Sequence, residues 1–184
     1  STPASHPNDE MIKPTSQKPI LANREYINEL LSEVFENPET AGSAAGLIRT
    51  WVYTQSGIFG YPCNPKGSLG TGDCGGTLLA SMNPAADTLR ASHKSQLCLS
   101  LTGNPTFLQN ALMKIENRPT VPDISSLQQL VKLFYRGEDD VLSVANGLLQ
   151  VDKNLKIEDP AIADIDRWRL LTNMVCESPN WELL

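Results

Sequence analysis

Apolar residues recur at helical spacing along most of this chain, and one long stretch interrupts them. Ile27, Leu30, Leu31, Val34 and Phe35 fall at i, i+3, i+4, i+7 and i+8, the stripe of a helix that Asn23 caps and Asn37-Pro38 ends. Ala41, Ala44, Ala45, Ile48, Trp51 and Val52 keep the same spacing in a second helix, with Thr40 as its predicted cap and Trp51 as a core anchor. Gly42 and Gly46 form a GxxxG within it, which predicts close packing inside a bundle. Leu78, Leu79 and Met82 make an apolar turn, and Asn83-Pro84 opens a short helix running to about Lys94. The segment from Gln96 to Leu101 alternates, but no second alternating run exists to pair with it, so helix is predicted there as well.

Further on, Asn104-Pro105 opens a helix with Phe107, Leu108, Ala111, Leu112 and Ile115 inward. Pro122-Asp123 opens the next, with Leu127, Leu130, Val131 and Phe134 inward and Gly137 as its C-terminal cap. Val141, Ala145 and Leu148 form a stripe behind the acidic run Glu138-Asp139-Asp140, whose charge suits a helix N-terminus. Asp159-Pro160 caps a last helix with Ile165, Trp168, Leu171, Thr172 and Val175 inward and Cys176 one turn on. The pattern predicts a mainly α fold, an irregular bundle of about six to eight short helices.

The interruption runs from Ser56 to Gly76 and holds seven of the twelve glycines, two prolines, Cys63 and Cys74. Glycine's entropy cost and proline's missing donor make it a long loop, expected to be disulfide-linked. Its apolar residues Ile58, Phe59 and Tyr61 suit a partner-binding surface, or pack down as the loop's own anchor. Residues 1–20 carry Pro3, Pro7, Pro14 and Pro19 among small and polar residues and are expected to be a flexible tail, or a strap that orders on a partner. Residues 21–184 are then a single helical domain.

Composition narrows the classes. With 40% hydrophobic and 20% charged residues, 184 residues suffice for a core without metals. A net charge of -6 argues against sequence-independent nucleic-acid binding, which needs a lysine and arginine surface. No apolar run reaches the roughly 20 residues of a membrane span, so any membrane contact comes through a partner or a missing segment. Cys63, Cys74, Cys98 and Cys176 contain no CxxC pair, and the two histidines, His6 and His93, do not sit at metal-ligand spacing. Disulfides are favoured over free buried thiols or a metal site. Of the three possible pairings, Cys63 with Cys74 and Cys98 with Cys176 is preferred: the first pair closes one loop and the second ties the last helix to the middle of the chain. An oxidising compartment follows, periplasmic or extracellular. The start, STPASHPNDE, reads as a mature chain after signal cleavage or simply as where the piece was cut, and the apolar ending Leu183-Leu184 reads as a fragment of a longer protein.

The sharpest chemical candidate is Thr71-Gly-Asp-Cys74-Gly-Gly76. It resembles the GDCGG nucleophile loop of chymotrypsin-like viral cysteine proteases, which implies a Cys74 thiolate beside an oxyanion hole. Those proteases require an upstream general-base histidine and are β-barrels; here only His6 lies upstream, and His93, read as a surface histidine at a helix end, is the remaining base. The same residues are similar to the TGDCGG stretch of thaumatin-like proteins, where the cysteine is half of a disulfide, in an all-β fold unlike this one. Asp152-Lys-Asn154 lacks the glycine and the twelfth-position acid of a calcium loop, and Gly67 to Gly76 matches no phosphate-binding fingerprint, so no cofactor or metal is expected. Glu158, Asp159, Asp164 and Asp166 read as capping and solvation rather than an acid/base pair.

Two functional classes emerge: a non-catalytic exported interaction or assembly module contacting other protein subunits, possibly copies of itself, and a secreted hydrolase using Cys74. Without a paired histidine and carboxylate the first is preferred. In general character, an exported helical domain with few cysteines, the chain is similar to periplasmic parts of bacterial secretion or conjugation machines, including Dot/Icm-type type IVB systems. That resemblance implies a structural subunit of an envelope-spanning assembly.

Overall fold

Seven α-helices and one 3-10 turn follow the hydrophobic stripes in a computed structural model that describes residues 22–39, 43–53, 59, 88–137 and 140–183. They are α1 (Arg24–Phe35), α2 (Ala45–Tyr53), α3 (Thr88–Thr102), α4 (Pro105–Leu112), α5 (Ile124–Phe134), α6 (Val141–Glu158), α7 (Asp164–Glu177) and the 3-10 turn Pro179–Glu182. No strand occurs among the described residues, so the fold is mainly α. The tail over residues 1–20 and most of the glycine-rich loop, with Cys63 and Cys74, lie outside the described residues.

Helix starts obey local chemistry where a short polar side chain precedes the stripe. Asn23 accepts from the Tyr26 N–H, Asn104 from those of Thr106 and Phe107, and Asp123 and Ser126 form a reciprocal capping box. The reciprocal bonds from Ser126 hold the Asp123 carboxyl below its usual value. Three expected caps are corrected. α2 begins at Ala45, five residues past Thr40, because the Glu36 carboxylate at the end of α1 accepts from the Ser43 hydroxyl and the Ala45 N–H. Asp159 ends α6 instead of starting α7, whose N-cap is Ala163. α5 closes at Tyr135, not at Gly137. The segment from Gln96 to Leu101 belongs to a single helix with the residues before it, α3.

The stripes meet in one core. Ile27, Leu31, Phe35, Ile48, Val52, Leu97, Leu112, Leu127, Phe134 and Trp168 are fully buried, while Ile165, expected inward, is 47% exposed. Gly46 departs from the close-packing expectation as well: it is exposed, and none of the described residues comes within 4 Å of the place a Cβ would take there. α1 packs on α2, α4 and α5, α5 on α6, and α7 on α3, α5 and α6. The pairs Ser95–Glu177 and Thr102–Asn173 order α3 and α7 antiparallel, and between those rungs Cys98 and Cys176, both fully buried, are joined by a disulfide with Cα atoms 5.8 Å apart. Lys114 closes the other end of α1, donating to the carbonyls of Val34 at 2.8 Å and Glu36 at 2.7 Å where the helix dipole is negative.

Candidate binding groove

Three aromatic rings from distant parts of the chain converge at the end of the bundle where it enters at Ala22 and leaves at Leu183. Tyr26 stands beside the buried stripe of α1, Tyr135 terminates α5, and Trp181 rides on the 3-10 turn that Ser178-Pro179 starts after α7. Each ring that reaches the core has its polar tip satisfied from behind. The Trp181 Nε1–H donates to the Cys176 carbonyl at 2.9 Å, and the Tyr135 hydroxyl bonds the Ser178 hydroxyl at 2.5 Å. Phe134 lies 6.1 Å from Trp181, ring to ring, and Lys94 Nζ sits 4.5 Å over the indole.

A buried ionic clasp fixes the turn that carries Trp181. Glu182 Oε1 accepts from Arg90 Nε and Nη2 at 3.1 and 2.7 Å, and Oε2 accepts from Lys94 Nζ at 2.6 Å. Lys94 also donates to the Ser178 carbonyl at 2.8 Å. Burial pushes the Lys94 ammonium below the ordinary lysine range, against the opposing pull of Glu182. Arg90 Nη2 reaches the Ala22 carbonyl at 2.8 Å, and the Ala22 N–H donates to the Glu182 carbonyl at 2.7 Å. The segments at Ala22 and Glu182 are thereby tied to α3 at one point.

The rings line a groove of about 480 Å³ whose wall includes Leu183 and whose rim carries Arg136, Asp140 and Asn180. It continues into a shallower recess of about 210 Å³ along α1, where Glu29 and Glu33 join the shared residues Tyr26 and Arg136. Arg136 and Glu33 form a two-pronged surface pair at 3.2 and 2.9 Å. Asp140 holds a left-handed backbone, φ 68°, which Asp tolerates better than most residues. A volume of this size with an aromatic floor and a few polar groups is the usual form of a binding site. A second cavity of about 480 Å³ lies between α4 and the start of α7, with Leu108, Ile165 and Arg169 in its lining; its lining lacks aromatic rings.

The residues singled out in the sequence fare differently. Cys98 and Cys176 are brought together as a disulfide; Cys63, Cys74, Ile58 and Tyr61 lie outside the described residues. Phe59 is fully buried, 5.4 Å from the His93 ring and beneath the Arg90 guanidinium at 5.2 Å, so it anchors onto α3 and offers no free docking surface. His93 is not a surface histidine at a helix end. It lies within α3, 7% exposed, between Trp51 and Phe59, with its Nε2–H donated to the Trp51 carbonyl at 2.5 Å. Asp164 and Asp166 pair with Arg167 and Arg169 on their own helix. No group of three or more His, Cys, Asp or Glu able to hold a metal occurs among the described residues, and no helix among them is long and apolar enough to cross a membrane. The sequence pattern does not single out Tyr26, Tyr135 and Trp181; the available signal is an aromatic ring just off a buried stripe or just past its end.

Comparison with protein-family models, with curated proteins and with solved structures finds no match to this chain.

Proposed function

We propose that this chain is a non-catalytic, exported assembly module, a structural subunit of an envelope-spanning protein complex such as a secretion system, acting in the periplasm or outside the cell. The observation that carries the reading is the groove lined by Tyr26, Tyr135 and Trp181, with Trp181 set on a turn clasped from behind by Arg90, Lys94 and Glu182. Tyr26, half-buried, gives the groove its accessible ring, while Tyr135 and Trp181, nearly buried with their polar tips bonded, hold the walls rigid, so that little entropy is lost on contact with an extended segment from another subunit. The buried Cys98–Cys176 disulfide is in keeping with an oxidising compartment. His93, the base that a Cys74 hydrolase would need, is instead engaged with the Trp51 carbonyl, which favours binding over catalysis.

The test is made in the native host. Tyr26→Glu, placed at the chromosomal locus, puts a charge on the groove floor without touching the clasp. On native gels of gently solubilised envelopes, the wild-type chain is expected in a large complex and the variant, at equal abundance, to shift to the size of the free chain. A wild-type chain that migrates alone overturns the assembly reading; a variant that stays in the complex overturns the role of the groove.

A further inference from the structure

The groove and the recess beside it carry a sign as well as a volume. Glu29 and Glu33 line the recess and Asp140 stands on the groove rim, while the cation in the same lining is Arg136, 41% exposed and already shared with Glu33. Glu25, Glu29 and Glu33 are spaced four residues apart on α1, so they form one row along the helix, and all three are exposed. Among the described residues Glu25 and Glu29 have no ion-pair partner. Lys114, which feels Glu33, spends its three N–H donors on the carbonyls of Val34, Glu36 and Asn110. Arg24 and Arg49 act with Glu25 and Glu29 on the Tyr53 hydroxyl, on α2 and away from the groove lining. Like charges at this spacing work against the helix that bears them, and a cationic neighbour would relieve that repulsion. The apolar surface open beside the row is the half-buried ring of Tyr26 and the side chain of Leu183, 44% exposed.

We propose that the occupant of the groove is a cationic extended segment of another subunit, with lysine or arginine at alternate positions against the glutamate row and an apolar side chain between Tyr26 and Leu183. The inference rests on the groove being a docking site and adds the charge and the spacing of what docks. At 1.5 Å of rise per residue the glutamates repeat about every 6 Å along α1. An extended chain brings every second side chain to one face at about 6.7 Å, so its cations stay within reach of Glu25, Glu29 and Glu33 in turn, while the residues between them face the opposite wall. A polyproline helix, which repeats at about 9.3 Å, falls out of step with the row. Complementary charge of this kind selects the partner and fixes its register as well as adding affinity.

The experiment uses the full chain at its chromosomal locus. Glu25, Glu29 and Glu33 are together replaced by Gln, which keeps the shape of each side chain and removes the repulsion along α1, so the fold is not put at risk. A control variant carries the same three-charge change at Glu39, Glu116 and Glu158, which are exposed and outside the groove lining. Gently solubilised envelopes are separated by gel filtration in about 50 mM and about 500 mM NaCl, on either side of the range in which salt screens exposed charges, and the ratio of complexed to free chain is measured. At low salt the row variant should lower that ratio about tenfold, the fold-change of three exposed ion pairs, and the control should leave it unchanged. At high salt the wild-type ratio should fall to that of the row variant. A row variant that matches wild type at both salts overturns the cationic partner, and so does a control that loses as much as the row variant. Tyr26→Glu removes the ring and leaves the row, so if it frees the chain in either of those cases the docking reading stands without the charge. If Tyr26→Glu leaves the complex intact too, the docking reading fails with it.

Discussion

Glu182 sits between two buried cations, and removing it should cost far more than removing Lys94. Its side chain is 6% exposed, those of Arg90 and Lys94 each 4%. Glu182→Gln leaves two positive charges facing each other with a neutral amide between them, Arg90 keeping its bond to the Ala22 carbonyl and Lys94 its bond to that of Ser178. Taking away one partner of a buried ion pair costs about 3–5 kcal/mol, because the charge left behind stays desolvated. Lys94→Met is the opposite perturbation: it leaves the Arg90–Glu182 pair in place and relieves the burial that already depresses the Lys94 ammonium. What is lost is one charge-assisted hydrogen bond at the Ser178 carbonyl, one at Glu182 Oε2 and the contact of the ammonium with the Trp181 ring; the relieved desolvation offsets much of this and leaves a net cost of about 1–2 kcal/mol. Glu177, which adds attraction for Lys94 from nearby, does not alter the order. Urea unfolding of both variants and the wild-type chain, with the slope checked for two-state behaviour, measures the difference. If Lys94→Met is destabilised as much as Glu182→Gln, the clasp is not held by its shared carboxylate and the reasoning is refuted.

Further outcomes are expected elsewhere in the fold. Gly46→Ala should stabilise the chain by about 0.5–1 kcal/mol in thermal or urea unfolding, because the site is helical, exposed and open, whereas a close-packed glycine would make the same change destabilising. Gly103→Ala should do the reverse, since its Cβ would lie 2.8 Å from the Leu99 carbonyl oxygen. Replacing Cys98 and Cys176 by Ser opens a link of sequence separation 78, for which loop closure gives about 4.5 kcal/mol, read as a lowered urea midpoint; a change under about 1 kcal/mol contradicts it. Asp123→Ala should cost about 1 kcal/mol at neutral pH. Because the folded carboxyl is held below its unfolded value, that contribution is present above the unfolded value and is lost as pH falls through the folded one, so wild type and variant should converge in stability in acid.

What is legible in the sequence is local. The stripe of α1 with Asn23 before it, the paired signals Asn104-Pro105 and Pro122-Asp123, and the inward face of α5 each place their own chemistry within a few residues of the helix they define. The failures arise where the partner is distant along the chain. Thr40 reads as a cap because nothing near it shows that Glu36 reaches over to Ala45. His93 reads as a surface residue because Trp51 and Phe59, the rings that enclose it, belong to other segments. The clasp joins positions 88 and 92 residues apart, and the groove assembles one ring from α1, one from the end of α5 and one from a four-residue turn. Side chains off the stripe carry no period, so only the folded chain reveals which of them share a wall.

The docking role of the groove is tested most directly by a photoreactive phenylalanine analogue placed at position 26 in the full chain and irradiated in the native host, with the same group at Ile157, 76% exposed and outside the groove lining, as control. The account predicts discrete cross-links from position 26 to another subunit of the envelope complex, mapped by mass spectrometry to an extended segment of that subunit, and none from position 157. Position 26 yielding no cross-link, or the same products as position 157, would contradict it.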